Sequence, residues 1–323
     1  MYLLKSFLPY LALGLLLLVI LPVPAGAQVG GNVFSDLSIT LNPEKPEPFE
    51  SVTATIDDYS LGSVGGDIIW RLNGTDQPDA ENSRSLTFIA PAAGESTTVT
   101  ANYRSPQGNF TASKTITPYY LDIIAEAQTY TPGFYRGAAL PVFGSRILLT
   151  ALIHNQAGPL NAASYSYRWK VANKVLNGGA VKGGFQTYAT VPHGRYLNIE
   201  VEVLSSQGQT LAKKTITIPS VAIDVQLYEF DSLFGIKNKA LKDNQPFVGN
   251  SLTVQAVPYY MDNAASLDKQ SFVWKINGLT QELGSDPFQI VINRSNRNID
   301  LGFRVMNTEI FLQNGQKNIS LAM

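Results

Sequence analysis

The sequence predicts an all-β protein made of three tandem copies of one antiparallel β-sandwich. Three observations predict it. The only three tryptophans, Trp70, Trp169 and Trp274, fall 99 and 105 residues apart; each lies in a stretch that alternates apolar with polar residues; and each is followed by an Asn-Gly pair. Composition agrees, since only 15% of residues are charged, while 26 glycines and 18 prolines supply the turns that many short strands need.

The N-terminus stands apart from this pattern. Lys5 precedes the apolar run "FLPYLALGLLLLVILPV", and "PAGAQ" follows, with Ala25 and Ala27 at the small-residue positions of a cleavage site. Residues 1–27 are therefore expected to be an export signal cut after Ala27. A retained anchor is the alternative, but prolines 9, 22 and 24 leave about 13 unbroken apolar residues against the roughly 20 of a spanning helix. Membrane contact is expected only through this segment if it is uncleaved. The chain has no cysteine, so an exported protein of this kind must be stabilised by apolar burial rather than disulfides. A formal net charge of −1 without runs of like charge argues against nucleic acid or an anionic membrane as a partner.

The copies align element by element. "SVTATI", "RILLTALI" and "SLTVQAV" are alternating strands upstream of the tryptophans. In the tryptophan strands, Ile68, Trp70 and Leu72 share one face, as do Tyr165, Tyr167, Trp169 and Val171, and Phe272, Trp274 and Ile276. Ser164, Ser166, Arg168 and Lys170 form the wet face of the second copy. Asn73-Gly74, Asn177-Gly178 and Asn277-Gly278 then offer the positive φ of a tight hairpin, the second copy's hairpin being longer by five residues. Downstream, Val99, Ala101 and Tyr103 correspond to Ile199, Val201 and Val203 and to Leu301, Phe303 and Val305. "KTITP" and "KTITIP" close the first two copies with threonines 115 and 215 in register.

Short strands in this number, with a tryptophan on an early inner strand, resemble the bacterial immunoglobulin-like and PKD-like domains of secreted and surface proteins. The resemblance runs from residue 35 to about 320 and implies three tandem immunoglobulin-like domains, at 28–118, 119–219 and 220–323. A fibronectin type III arrangement fits nearly as well, because the inter-sheet cysteine pair of antibody domains is missing. Short linkers at Pro118 and Pro219 suggest a rod with limited bending, and the disulfide-free modules suggest a bacterial host.

No enzyme is expected. The chain holds no Gly-x-Ser-x-Gly elbow, phosphate-binding glycine loop or His-Glu-x-x-His, and "SLDK" at 266–269 lacks the companion motifs of a serine–lysine hydrolase. His154 and His193, the only histidines, are expected to be solvated loop residues, and Asp57-Asp58 a polar turn rather than a calcium site. Neither cofactor nor metal is expected. Four Asn-x-Ser/Thr sequons, at Asn73, Asn109, Asn293 and Asn318, are read as coincidence.

One feature exceeds the generic sandwich. Between their first two strands the second and third copies carry long excursions, 128–145 and 228–250, where the first has only "NPEKPEPFE". Loops of that length in compact domains are often functional. Either they pack across the boundary to the preceding domain and stiffen the rod, or they form a contact surface. In the second reading Phe134 and Tyr135 stack on a sugar or a partner side chain and Arg136 supplies directional hydrogen bonds, with Phe234 and Lys237 as counterparts in the third copy. The expected function is a non-catalytic protein of the cell envelope, exported to the surface, that presents loops for adhesion or assembly with a protein or glycan partner. A carbohydrate-binding surface protein and an accessory component of a pilus or secretion apparatus are the alternatives.

Overall fold

The computed structural model describes residues 37–57, 66–105, 108–263, 267–291 and 298–322. The segment read as an export signal and most of the acidic loop after Asp57 lie outside the described residues. The described residues contain strands, turns and three short 3-10 segments, Pro78–Ala80, Ala162–Ser164 and Leu267–Lys269, and among them no helix is long and apolar enough to cross a membrane.

The first sandwich comprises β1 (Ser38–Asn42), β2 (Ser51–Asp57), β3 (Asp67–Leu72), β4 (Thr75–Asp76), β5 (Ser85–Ile89), β6 (Thr97–Ser105) and β7 (Gly108–Ile116). One sheet has the order β1-β2-β5 and the other β4-β3-β6-β7, all pairs antiparallel. Alternation puts Val52, Ala54 and Ile56 of β2 opposite Ile68 and Trp70 of β3 in one buried cluster. Trp70 is wholly buried beside Ala101, its small cross-strand partner, and its indole N–H donates to the Ser83 carbonyl at 2.9 Å.

The second sandwich repeats this plan with β8 (Tyr120–Ala127), β9 (Arg146–Asn155), β10 (Gly158–Pro159), β11 (Ser166–Val171), β12 (Lys174–Lys182), β13 (Gln186–Thr190), β14 (Tyr196–Leu204) and β15 (Thr210–Pro219). β8, β9, β10 and β13 make one sheet, and β12-β11-β14-β15 the other. Trp169 donates to the Gly184 carbonyl at 2.9 Å. On the outer face Arg168 meets Glu202 at 2.7 Å, Lys170 meets Glu200 at 3.1 Å, and Lys213 reaches both carboxylates at 3.1 and 3.4 Å. Partial burial alone would raise the Glu200 carboxyl, but hydrogen bonds from Lys170 and Lys213 and their charge hold it below the usual range. In the core, the Tyr167 hydroxyl is buried and has no hydrogen-bond partner among the described residues.

The third sandwich contains β16 (Asp224–Asp231), β17 (Gly235–Ala240), β18 (Gln245–Pro246), β19 (Ser251–Tyr259), β20 (Gln270–Ile276), β21 (Leu279–Gln281), β22 (Phe288–Val291), β23 (Asn298–Asn307) and β24 (Asn314–Ala322). Its sheets are β17-β16-β19-β22 and β18-β24-β23-β20-β21, with β18 parallel to β24. Trp274 sits edge-on to Phe288 and Phe303, with centroids at 4.5 and 4.6 Å, and donates to the Gly284 carbonyl at 3.2 Å.

The hairpin of the second copy departs from the sequence reading. Asn73-Gly74 and Asn277-Gly278 form two-residue turns with positive φ at both positions. In the second copy the turn is Ala172-Asn173, at φ 46° and 65°, while Asn177-Gly178 lies inside β12, where the register with β11 shifts. Asn73, Ala172 and Asn277 all stand three residues after the tryptophan, and each N–H donates to the β6, β14 or β23 side at Thr98, Asn198 or Asp300. Pairing of Trp169 with Val201 and of Val171 with Ile199 decides where the strand ends. That register outweighs the local preference of Asn-Gly, which is absorbed as a bulge.

The third-copy excursion is also not a loop: most of 228–250 continues β16, turns, and returns as β17. His154 lies within β9, stacked on Tyr120 at 4.9 Å and 3.4 Å from Asp122, whereas His193 is edge-on to Phe143 at 5.7 Å. Among the described residues no group of three or more His, Asp or Glu is gathered as a metal site would require.

Candidate functional site

The excursion 128–145 is closed on itself before it touches anything else. Thr129 Oγ1 donates to the Leu140 carbonyl at 2.9 Å, the fully buried Ser145 Oγ donates to the Val142 carbonyl at 2.7 Å, and Tyr135 N–H closes a turn on the Pro132 carbonyl. The Tyr135 ring folds back over Gly137, where any Cβ would collide with it.

The closed excursion docks on the third sandwich, the following module rather than the preceding one. Tyr130 N–H donates to Met261 O and Tyr260 N–H to Tyr130 O, both at 2.7 Å, and Asn263 N–H donates to Gln128 O at 3.1 Å. Val142 bridges Val221 and enters the third core, and the buried Gln313 donates to the Phe143 carbonyl at 2.8 Å. The backbone bonds include two isolated β-bridges between the modules, Thr129 with Asp262 and Val142 with Val221, which satisfy the backbone groups that meet there.

Phe134 and Tyr135 complete the contact. Phe134 is edge-on to Tyr228 at 5.4 Å, and Tyr135 edge-on to Tyr259 at 5.3 Å and Tyr260 at 6.3 Å. Tyr135 and Tyr260 share a hydrogen bond between hydroxyls of 2.9 Å, and Tyr228 and Tyr259 one of 2.6 Å. Burial, followed by the Tyr135 bond, pushes the Tyr260 phenol up to about 12, and burial, followed by the Tyr228 bond, drives Tyr259 still higher, so both hydroxyls stay protonated. Ile236 and Ala240 of the third excursion belong to the same cluster, so the two excursions pack against each other.

The other candidate residues lie outside this cluster. Arg136 is exposed and has no ion pair among the described residues. Lys237 is exposed and paired with Glu229 at 2.6 Å. Phe234, 87% exposed, and Leu233, 86% exposed, form the tip of the β16–β17 hairpin. Asp231 Oδ1 accepts from both their N–H groups at 3.1 and 2.8 Å, and these bonds hold its carboxyl below the usual range.

Strand register places further apolar residues at the same end. β19 begins beside the end of β22, with Ser251 opposite Val291, and β18 beside the end of β24. Val248 (98% exposed), Val291 (80%) and Leu279 (68%) therefore join Leu233 and Phe234 at the end of the third sandwich opposite the second. Sequence reasoning missed these three. The available signal was a large aliphatic residue at a turn or strand terminus, where polar residues are the rule.

No protein family and no curated protein matches this sequence. Among solved structures it is similar to the central fibronectin-III array of RIM-binding protein, at 11% identity and a TM-score of 0.31, covering 88% of this chain and 96% of that one. The three N-terminal domains of the bacteriophage RB49 Hoc capsid protein are similar at 8% identity and a TM-score of 0.25, over 89% and 98%. Immunoglobulin domains 1–5 of Sidekick-1 are similar at 10% and 0.22, over 85% and 57%. Likeness at this level bears on no ligand or partner.

Proposed function

We propose that the chain is a non-catalytic, exported protein of the cell envelope. In this reading it is a rod of three immunoglobulin-like domains, bounded at 28–118, 119–219 and 220–323, that presents loops for adhesion or assembly with a protein partner. The observation that supports this most is the division of labour between the excursions. Phe134 and Tyr135 are spent on bracing the second and third modules, whereas Leu233 and Phe234 stand in water at the far end of the third.

Adjacent exposed apolar side chains, as Leu233 and Phe234 are at the hairpin tip, mark association surfaces, and Val248, Leu279 and Val291 stand at the edges of the same end. Leu233, Val248, Leu279 and Val291 are aliphatic, and branched aliphatic groups suit the apolar side chains of a protein better than the flat face of a sugar, which aromatic rings accept. The test is photo-crosslinking in intact source cells from position 234, with position 135 as the comparison. A discrete protein adduct from 234 and only intramolecular crosslinks from 135 are expected. Protein adducts from 135 alone, or only glycan adducts from 234, would overturn the assignment.

A further inference from the structure

The second and third modules carry a lysine at the same place in the fold. Lys214 of β15 pairs with Val201, which pairs with Trp169; Lys317 of β24 pairs with Phe303, which pairs with Trp274. Paired residues share a face, so both lysines occupy inward positions, and both are half-buried. Lys214 is satisfied from two sides, with Nζ 2.9 Å from Glu47 in the β1–β2 connection of the first module and 3.8 Å from Asp122 of β8. Neither carboxylate has a counterpart beside Lys317. Asp122 pairs with Leu152, one residue beyond the inward row Ile147, Leu149 and Ala151; after the matching row Leu252, Val254 and Ala256 the pair is Gln226 with Val257, so an amide replaces the acid. The excursion 128–145 follows the first strand of its module as the Glu47 connection follows that of the first, and it contains neither aspartate nor glutamate. Among the described residues Lys317 has no ion pair.

Lys317 opens onto a groove of about 540 Å³ between β17 and β24. Lys239 and Lys242 line the same groove, and among the described residues neither has an ion pair. The amides of Asn238 and Asn318 add N–H donors. Asp243 is the acid of the lining, and both its oxygens are engaged, Oδ1 by the Ser320 N–H at 2.8 Å and Oδ2 by the Asn244 amide at 3.2 Å. Three cations against one engaged carboxylate select an anion. β18 covers β24 only at Leu321 and Ala322, which leaves an edge beside Lys317, but an inward lysine on an edge opposes addition of another strand. The anion therefore arrives as a side chain.

We propose that this groove docks an acidic segment of a partner protein, with a carboxylate of that segment meeting Lys317 as Glu47 meets Lys214. A carboxylate is favoured over phosphate or sulfate because this chain places one at the equivalent lysine. The groove uses none of the apolar tip residues, although it rests on the reading that the third module engages a protein. The two fail separately, since a purely acidic peptide offers the tip no apolar contact.

The test is titration of the intact protein with an acetylated and amidated hexaglutamate peptide at low ionic strength, followed by backbone amide NMR shifts. Hexalysine is the control, and polygalacturonate and inorganic phosphate are the competing anions. Shifts at Lys239, Lys317 and Asn318 are expected, with affinity lowered about fivefold in Lys317→Met and kept in Lys317→Arg. Gln226→Asp, which restores the acid that β8 supplies in the second module, should also weaken binding, whereas Phe234→Ala should leave it unchanged. Lys317→Met should melt no lower than the parent, because the charge it removes has no partner among the described residues. No shift in the groove with hexaglutamate, affinity unchanged in both Lys317→Met and Gln226→Asp, or tighter binding of polygalacturonate or phosphate than of the peptide would each overturn the assignment.

Discussion

Replacing Tyr135 by alanine removes two edge-on aromatic contacts, to Tyr259 and Tyr260, and one hydroxyl–hydroxyl bond of 2.9 Å. Aromatic pairs and hydrogen bonds of these kinds contribute about 0.5–1.5 kcal/mol each, so the change should weaken the junction by roughly 1.5–4.5 kcal/mol. Tyr135→Phe keeps the rings and loses only the hydroxyl bond, about 1 kcal/mol. The readout is native-state hydrogen exchange at the amides of Tyr130, Tyr260 and Asn263, which bridge the two modules. Protection there should fall about fivefold in Tyr135→Phe and between about tenfold and a thousandfold in Tyr135→Ala, at about 1.4 kcal/mol per factor of ten. Amides within β19 that pair with β16 should keep their protection. If bridging and core amides lose protection equally, Tyr135 supports the fold of the third module rather than its attachment. If neither changes, the aromatic cluster contributes nothing to the junction.

Three other substitutions probe the framework. Ala172→Asn should raise stability by about 1 kcal/mol, because alanine at φ 46° carries left-handed strain that asparagine tolerates. The new amide would also accept from Asn198 N–H as Asn73 accepts from Thr98 and Asn277 from Asp300; thermal unfolding showing a loss would refute this. Tyr167→Phe should leave urea stability unchanged or raise it by about 1 kcal/mol, since its buried hydroxyl has no partner among the described residues, and a loss above that would show the hydroxyl to be bonded. Glu200 has a depressed carboxyl, so its contribution is present above the ordinary value of 4.5 and lost as pH falls through the lower folded value. The drop in stability between pH 6 and pH 3 should therefore be smaller in Glu200→Gln, and an identical drop would remove Glu200 from the account.

Much of the framework was legible because it depends on consecutive residues. Alternation alone located β2, β9 and β19, the three tryptophan strands and their partners β6, β14 and β23, and it placed Trp70, Trp169 and Trp274 in cores. A residue's face in a strand follows from parity, which needs no knowledge of distant chain. The second hairpin escaped this reasoning because two signals competed. Asn177-Gly178 is the stronger local turn former, but pairing of β11 with β14 stops the strand at Val171.

The sequence by itself thus determined the class of the protein, the repeat and the composition of its cores, since burial of an alternating apolar face leaves few other arrangements. Only the tertiary structure decided what the excursions do. Tyr135 meets Tyr260 across 125 residues of chain, and no local pattern encodes a contact between segments so far apart. The same holds for the groove of the third module. Only strand register shows that Lys317 stands where Lys214 stands and that Gln226 takes the place of Asp122 beside it. Short-range periodicity sets which face of a strand is dry, whereas long-range register and docking set which surfaces remain for binding.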